Sequence, residues 1–226
     1  MKRILISAGI LLLATASANA QYKKASFLNK SGRTYDLGGS LRFVSDVKST
    51  VPGIIYSYGR DKGKRLFHWY DLELLLPSTF SYNTVDVNDN TIPVTVNGKS
   101  KVGLAWRYNL GVYFLSPESE SKIKPFGTAG INVLILGGTA KSYTTTPEFS
   151  DPKDYVAGSG FSFGGNAGIG AIYAINEKFG IKATGGYNYQ KLITPSEDYG
   201  ESYKMKDIFS SHPYLTVGIR FTIPED

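Results

Sequence analysis

Ser210, Ser211 and His212 stand together late in the chain, with Glu201 and Asp207 a few positions before them. A serine, a histidine and an acid are the parts of an acyl-transfer site, as in lipid-modifying enzymes. Nucleophilic catalysis needs the base within hydrogen-bond reach of the hydroxyl and a third group to orient it. Neighbours on a strand point to opposite faces, so Ser211 and His212 cannot meet, and only Ser210 could share the histidine's side. Nothing in the spacing fixes the rest, and the chain is not expected to be an enzyme. The other histidine, His68, reads as an interface residue. With two His and no Cys in the chain, thiolate and multi-His metal sites are excluded by count. No cofactor is expected. The acids of segment 144–154 lack the DxDxDG spacing of a calcium loop, and like those of segment 196–201 they read as solvated loop.

A third set is charged and scattered. Arg42, Asp71, Glu73, Arg107, Lys182 and Arg220 each interrupt an apolar alternation. In Val102 to Leu115, one face carries Val102, Leu104, Trp106, Tyr108, Leu110, Val112 and Phe114. Gly103, Ala105, Arg107, Asn109 and Gly111 occupy the other. A period of two is the mark of a strand with unlike faces. The same pattern returns in Tyr35–Val44, Leu66–Leu76, Lys124–Gly137, Ser159–Ile175, Lys178–Gln190 and Leu215–Ile223.

The opening MKRILISAGILLLATASANA has a positive start in Lys2 and Arg3, an apolar stretch from Ile4 to Leu13, and small residues at Ala18-Asn19-Ala20. This is the layout of a secretory signal peptide, residues 1–20, cleaved before Gln21. Its apolar stretch is shorter than the roughly 20 residues of a membrane-spanning helix. Net charge is +6, and loss of Lys2 and Arg3 leaves about +4. Such a mild excess on an exported chain does not indicate nucleic acid. Gly at 25, Tyr at 16 and only 19% charged residues suit strands in a membrane. Without a spanning helix, a closed barrel alone can sit there, because every backbone polar group must be paired internally.

A bacterial single-chain barrel has an even number of strands, and the runs above fall one short of eight. The missing strand is Gly53–Tyr58, turning at Asp61-Lys62-Gly63-Lys64, or Thr91–Val96, turning at Asn97-Gly98. Pro93 disfavours the second as a paired strand, and a tight turn there would fall where long loops belong; the first is preferred. Asn176-Glu177-Lys178 and Ser116–Lys122 read as short turns. Gly138–Gly158, Lys191–Phe209 and Val85–Ser100 read as long loops. Residues 21–226 thus form one all-β domain, a transmembrane antiparallel up-and-down barrel of eight strands.

The last strand carries polar-x-Gly-x-x-hydrophobic-x-aromatic in Thr216, Gly218, Phe221 and Ile223, with Ile at the final position and Pro224-Glu225-Asp226 trailing. With the strand pattern, the chain resembles the small outer-membrane β-barrel family, the class of the OmpA transmembrane domain and OmpX. In its Tyr- and Gly-rich style it looks like the outer membrane β-barrel domain proteins of Bacteroidota. The resemblance implies a Gram-negative outer membrane, an assembly signal in those four residues read by the barrel-assembly machinery, and contact with outer-membrane lipid and lipopolysaccharide. It also implies loops facing outward toward an unknown partner, and an interior charge network that in some members opens as a narrow pore.

An eight-stranded barrel is just wide enough for side chains to fill, and charges inside must pair. Asp71 and Glu73 are expected to bridge two or more of Arg42, Arg107, Lys182 and Arg220, beside Asn109, Asn132, Asn166 and Asn188. Gly164, Gly168, Gly170 and Gly186 make room for bulky neighbours. Trp106, Tyr108, Tyr173, Tyr187, Tyr189 and Tyr214 are candidates for interfacial girdles. The expected role is structural or interactive, with minor pore activity. The alternatives are a narrow channel for small solutes, a lipid-modifying enzyme, and a soluble periplasmic lipocalin-like barrel with the apolar face turned inward.

Overall fold

The computed structural model describes residues 32–45, 48–85, 93–116, 119, 121–136, 138–144, 153–155, 160–176, 178–192 and 211–224. The signal-like opening, segment 196–201, Glu201, Asp207 and Ser210 lie outside the described residues. The strands are β1 (Gly32–Val44), β2 (Ser49–Asp61), β3 (Leu66–Leu75), β4 (Thr79–Val85), β5 (Pro93–Ser100) and β6 (Gly103–Tyr113). They continue with β7 (Ile123–Leu136), β8 (Gly138–Thr144), β9 (Lys153–Tyr155), β10 (Gly160–Ala174), β11 (Phe179–Leu192) and β12 (His212–Pro224).

Eight of these close a barrel in the order β1-β12-β11-β10-β7-β6-β3-β2. Every neighbouring pair is antiparallel, including the closing seam where Tyr35 faces Phe221 and Leu41 faces Leu215. The strand pattern fixes which face is which. Leu37, Ile54, Leu72, Leu104, Leu110, Ile169 and Ile219 all point outward and are exposed, Leu37 and Ile219 each at 62%. Their neighbours Asp36, Asp71, Arg107 and Arg220 point inward and are buried. The apolar face is therefore the outside. A lipocalin-like barrel requires the reverse, and that alternative fails on this observation.

The eighth stave is β2, the preferred segment, extended at both ends. It turns into β3 through Gly63, whose φ of 65° is open to glycine without the penalty of a Cβ. Asp61 Oδ1 accepts from the Gly63 N–H at 3.0 Å. The β10–β11 turn is tied likewise, Asn176 Oδ1 accepting from the Lys178 and Phe179 N–H groups at 2.9 Å each. These turns, the 114–122 connection, the start of β1 and the end of β12 share one rim, here the lower rim.

The upper rim differs from the sequence expectation. Asn97-Gly98 is not a turn: both residues lie inside β5, opposite Ser81 and Phe80 of β4. Gly138–Gly158 is not wholly loop, since it holds β8 and β9. A four-stranded sheet runs β4-β5-β8-β9. Each of its strands adjoins in sequence one of β3, β6, β7 and β10, which are neighbours in the barrel in that order. Four adjacent staves thus continue past the rim as a raised flap. Pro93 is tolerated at the first residue of β5, where a strand can lack a donor. Ser49 Oγ donates to the Thr79 carbonyl at 2.8 Å, and the Ser78 N–H donates to Ser100 Oγ at 2.9 Å, tying the flap's base to the rim.

Candidate functional site

Among the described residues the inward face of the staves gathers a large set of buried charged groups, and it is organised in tiers. At the lower end Phe67, Trp69, Tyr113, Phe126 and Ile172 form a buried cluster. Phe67 stacks on Tyr113 at 4.3 Å between ring centroids and meets Phe126 edge-on at 5.3 Å. The rings fit because glycine faces them: a Cβ on Gly111 would strike the Phe67 ring, and one on Gly170 the Phe126 ring. The Tyr113 hydroxyl donates to Asp61 Oδ2 at 2.7 Å.

Above the rings lies a first ion cluster centred on Asp36. Arg220 Nε donates to Asp36 Oδ1 at 2.7 Å and Nη2 to Oδ2 at 3.0 Å, a bidentate pair. Lys182 Nζ donates to the same Oδ2 at 2.9 Å and lies 4.0 Å from the centroid of the Trp69 ring. The second cluster holds Asp71 and Glu73, which register puts beside Arg107 and Ala105 of β6. Asp71 accepts from Ser57 Oγ at 2.5 Å and from Asn109 Nδ2 at 2.9 Å, with Arg107 Nε 3.3 Å away. Glu73 accepts from Ser40 Oγ and Arg42 Nη2 at 2.5 Å each and from Arg42 Nε at 3.2 Å. Arg107 Nη2 is 3.4 Å from Glu73 Oε2, and the guanidinium carbon is 5.0 Å from the Tyr214 ring centroid.

The rest of the interior above the rings is neutral and polar. Asn132 Nδ2 donates to Asn188 Oδ1 at 3.2 Å, and Asn166 Nδ2 to Asn109 Oδ1 at 2.8 Å. Gln190 Nε2 donates to Ser162 Oγ at 3.1 Å. His212 is fully buried here. Its Nε2 lies 3.4 Å from Arg42 Nη1 and 3.2 Å from Asn188 Nδ2. A guanidinium only donates, so Nε2 is the acceptor in that contact. Ser211 Oγ accepts from the Gln190 N–H at 3.4 Å and faces away. Among the described residues no three His, Cys, Asp or Glu side chains gather as a metal would require.

Arg42, Asp71, Glu73, Arg107, Lys182 and Arg220, marked from the sequence, all lie inside the barrel. Asp71 and Glu73 take Arg42 and Arg107, whereas Lys182 and Arg220 go to Asp36, which the sequence reading omitted. The signal was present: Asp36 shares the parity of Arg42 and lies between outward-facing Tyr35 and Leu37. Tyr214 lies on the opposite face from the one expected. It is 5% exposed and packs inside against Arg107, so it belongs to no girdle. Trp106, Tyr173, Tyr187 and Tyr189 do face outward and are exposed. Tyr108 shares their side and packs on Tyr70 at 5.0 Å. His68 is half-buried on that same outer face, 6.4 Å from the Tyr70 ring. Gly164 and Gly168 allow close backbone approach by β11, and Gly186 accommodates the Tyr214 ring. Thr216 and Gly218 face inward, while Phe221 and Ile223 face outward.

No protein-family model matches the chain, and no curated protein matches it significantly. Among solved structures it is similar to the outer membrane protein OprG from Pseudomonas aeruginosa. That match has a TM-score of 0.48 and 13% identity and covers 87% of this chain and 98% of that one. It is similar also to Ail, the attachment invasion locus protein of Yersinia pestis, in complex with the heparin analogue sucrose octasulfate. There the TM-score is 0.40 and identity 11%, over 86% and 98% of the two chains. For Neisserial surface protein A the TM-score is 0.39 and identity 13%, over 85% and 97%.

Proposed function

We propose that the chain is an outer-membrane barrel whose lumen is a filled structural core, and that its work is done by what it raises above the membrane. The supporting observation is the inversion of the faces. An apolar belt such as Leu37, Leu72, Leu110 and Ile219 surrounds a charged interior whose ions are paired within the wall. Water penalises such a belt, and lipid does not. The interior is the polar lumen expected of a membrane barrel. It is plugged at the lower end by the aromatic cluster and crossed above that by both ion clusters, so a steady solute path is not part of this reading.

Apart from the tight β1–β2 connection, short lower turns and longer upper connections match the periplasmic and outer sides of such barrels. On this reading the upper flap stands outside the cell as the interaction surface, and lipopolysaccharide packs around the upper half of the belt. Residues 1–20 are removed on export. Thr216, Gly218, Phe221 and Ile223 are presented to the barrel-assembly machinery.

Membrane fractionation, with each fraction run unheated and boiled on an SDS gel, tests the placement. A heat-shifted band in the outer-membrane fraction is expected, and poor insertion after loss of Phe221 would support its part in assembly. In planar bilayers the folded protein is expected to give no steady conductance. A soluble band without heat shift would overturn the membrane placement, and a persistent open level would favour the channel.

A further inference from the structure

Between the two ion clusters lies a cavity of about 20 Å³, lined in part by Asp36, Asp71, Asn109, Arg107, Lys182 and Thr184. That is room for about one water or an ion of similar size. Around it donors are in surplus. The Thr184 hydroxyl is buried without a hydrogen-bond partner, and Arg107 Nε and Nη2, though ion-paired at 3.3 and 3.4 Å with Asp71 and Glu73, make no well-aligned hydrogen bond. Lys182 Nζ has three N–H bonds to give, of which Asp36 takes one and the Trp69 ring faces the group from 4.0 Å. The acids are already committed. Asp36 receives three hydrogen bonds from Arg220 and Lys182. Asp71 receives Ser57 and Asn109.

The charges do not balance either. Among the described residues, the two clusters contain Arg42, Arg107, Lys182 and Arg220 against Asp36, Asp71 and Glu73, one positive charge in excess. Lys124 and Asp61, at the lower end, offset each other. An uncompensated charge in a dry interior is costly. We infer that this cavity is a binding site for one small monovalent anion, a halide of chloride or bromide size, held by Lys182, Arg107 and Thr184. A water could use the free donors, but it would leave the excess charge. The site rests on the lumen's geometry and not on what surrounds the outer wall, so it can be tested in detergent whether or not the membrane placement holds.

The test is a crystal of the folded chain grown from non-ionic detergent with sodium bromide, with data collected at the bromine edge. An anomalous peak is expected within hydrogen-bonding distance of Lys182 Nζ, Thr184 Oγ1 and Arg107 Nη2. In solution, the unfolding midpoint should rise by roughly 5 °C in bromide over gluconate at equal ionic strength, once bromide stands about a hundredfold above its Kd. Lys182→Met removes the excess charge while Asp36 keeps Arg220, and the salt difference should vanish. No bromine peak in the cavity would mean water alone and overturn the site. So would a midpoint indifferent to the anion, or a bromide effect as large in Lys182→Met as in the parent chain.

Discussion

Asp36 is the single acid on which two buried cations depend. Arg220 holds it through both nitrogens facing it, and Lys182 shares one of its oxygens. Removing one partner of a buried pair leaves an uncompensated charge and costs about 3–5 kcal/mol. Asp36→Ala strands a guanidinium and an ammonium together. It is expected to fall at or above that range in urea unfolding of the detergent-folded protein, and a cost below about 1 kcal/mol, the scale of an exposed ion pair, would refute the buried cluster. The contrast with Asp71 is useful, because its neighbour Glu73 remains to hold Arg107. Charged residues were legible in the sequence because each breaks an apolar run. Which acid meets which base was not, since β1 joins β12 only on closure, and residues 36 and 220 become neighbours through a seam that no local spacing announces. Aromatic type misled at Tyr214, where parity with Leu215 and Val217 decides the side: rings serve both as lipid-facing and as lumen-filling groups.

Among the strands, glycine placement controls how closely the staves approach. Gly38 and Gly39 are adjacent on β1 and face opposite ways. A Cβ on Gly38 would enter the Val217 carbonyl and the Gly218 backbone on β12, atoms that cannot swing aside. On Gly39 its nearest neighbour is the Gly53 carbonyl, at 3.8 Å. Gly38→Ala should therefore cost at least about 1–3 kcal/mol, as overpacking does, and Gly39→Ala should stay within about 0.5 kcal/mol. Equal unfolding midpoints for the two variants would contradict the assignment of faces. The even strand number, with Pro93 counting against the alternative, was needed to place β2, while the same period-two pattern made the other seven barrel staves readable. It failed at the flap. Asn97-Gly98 has the composition of a hairpin turn, but its partners on β4 and β8 continue past it on both sides, and a strand paired on two sides overrides a local turn preference. β8 was missed because Gly138–Thr144 lacks an apolar face to announce it.

The whole molecule turns on which solvent meets the outer wall, and that is a quantitative question. Leu72 sits mid-way along β3 at 47% exposure, between Leu74 above and Tyr70 below. Thr50 points outward at the upper end of β2. Were the wall in water, an arginine at either position would be a surface substitution, worth within about 0.5 kcal/mol. In a bilayer the two sites separate, because the cost of an arginine is about 2–4 kcal/mol at the midplane and falls to about 0–1 near the interface. Urea unfolding from lipid vesicles should then show Leu72→Arg strongly destabilised and Thr50→Arg nearly neutral. The lumen gives the comparison its force. Its ion clusters are identical in the two variants, so the difference between them reads the outer environment alone. If both arginines are tolerated equally, the belt is not buried in lipid, and the exposed leucines and isoleucines must be covered by something other than a membrane.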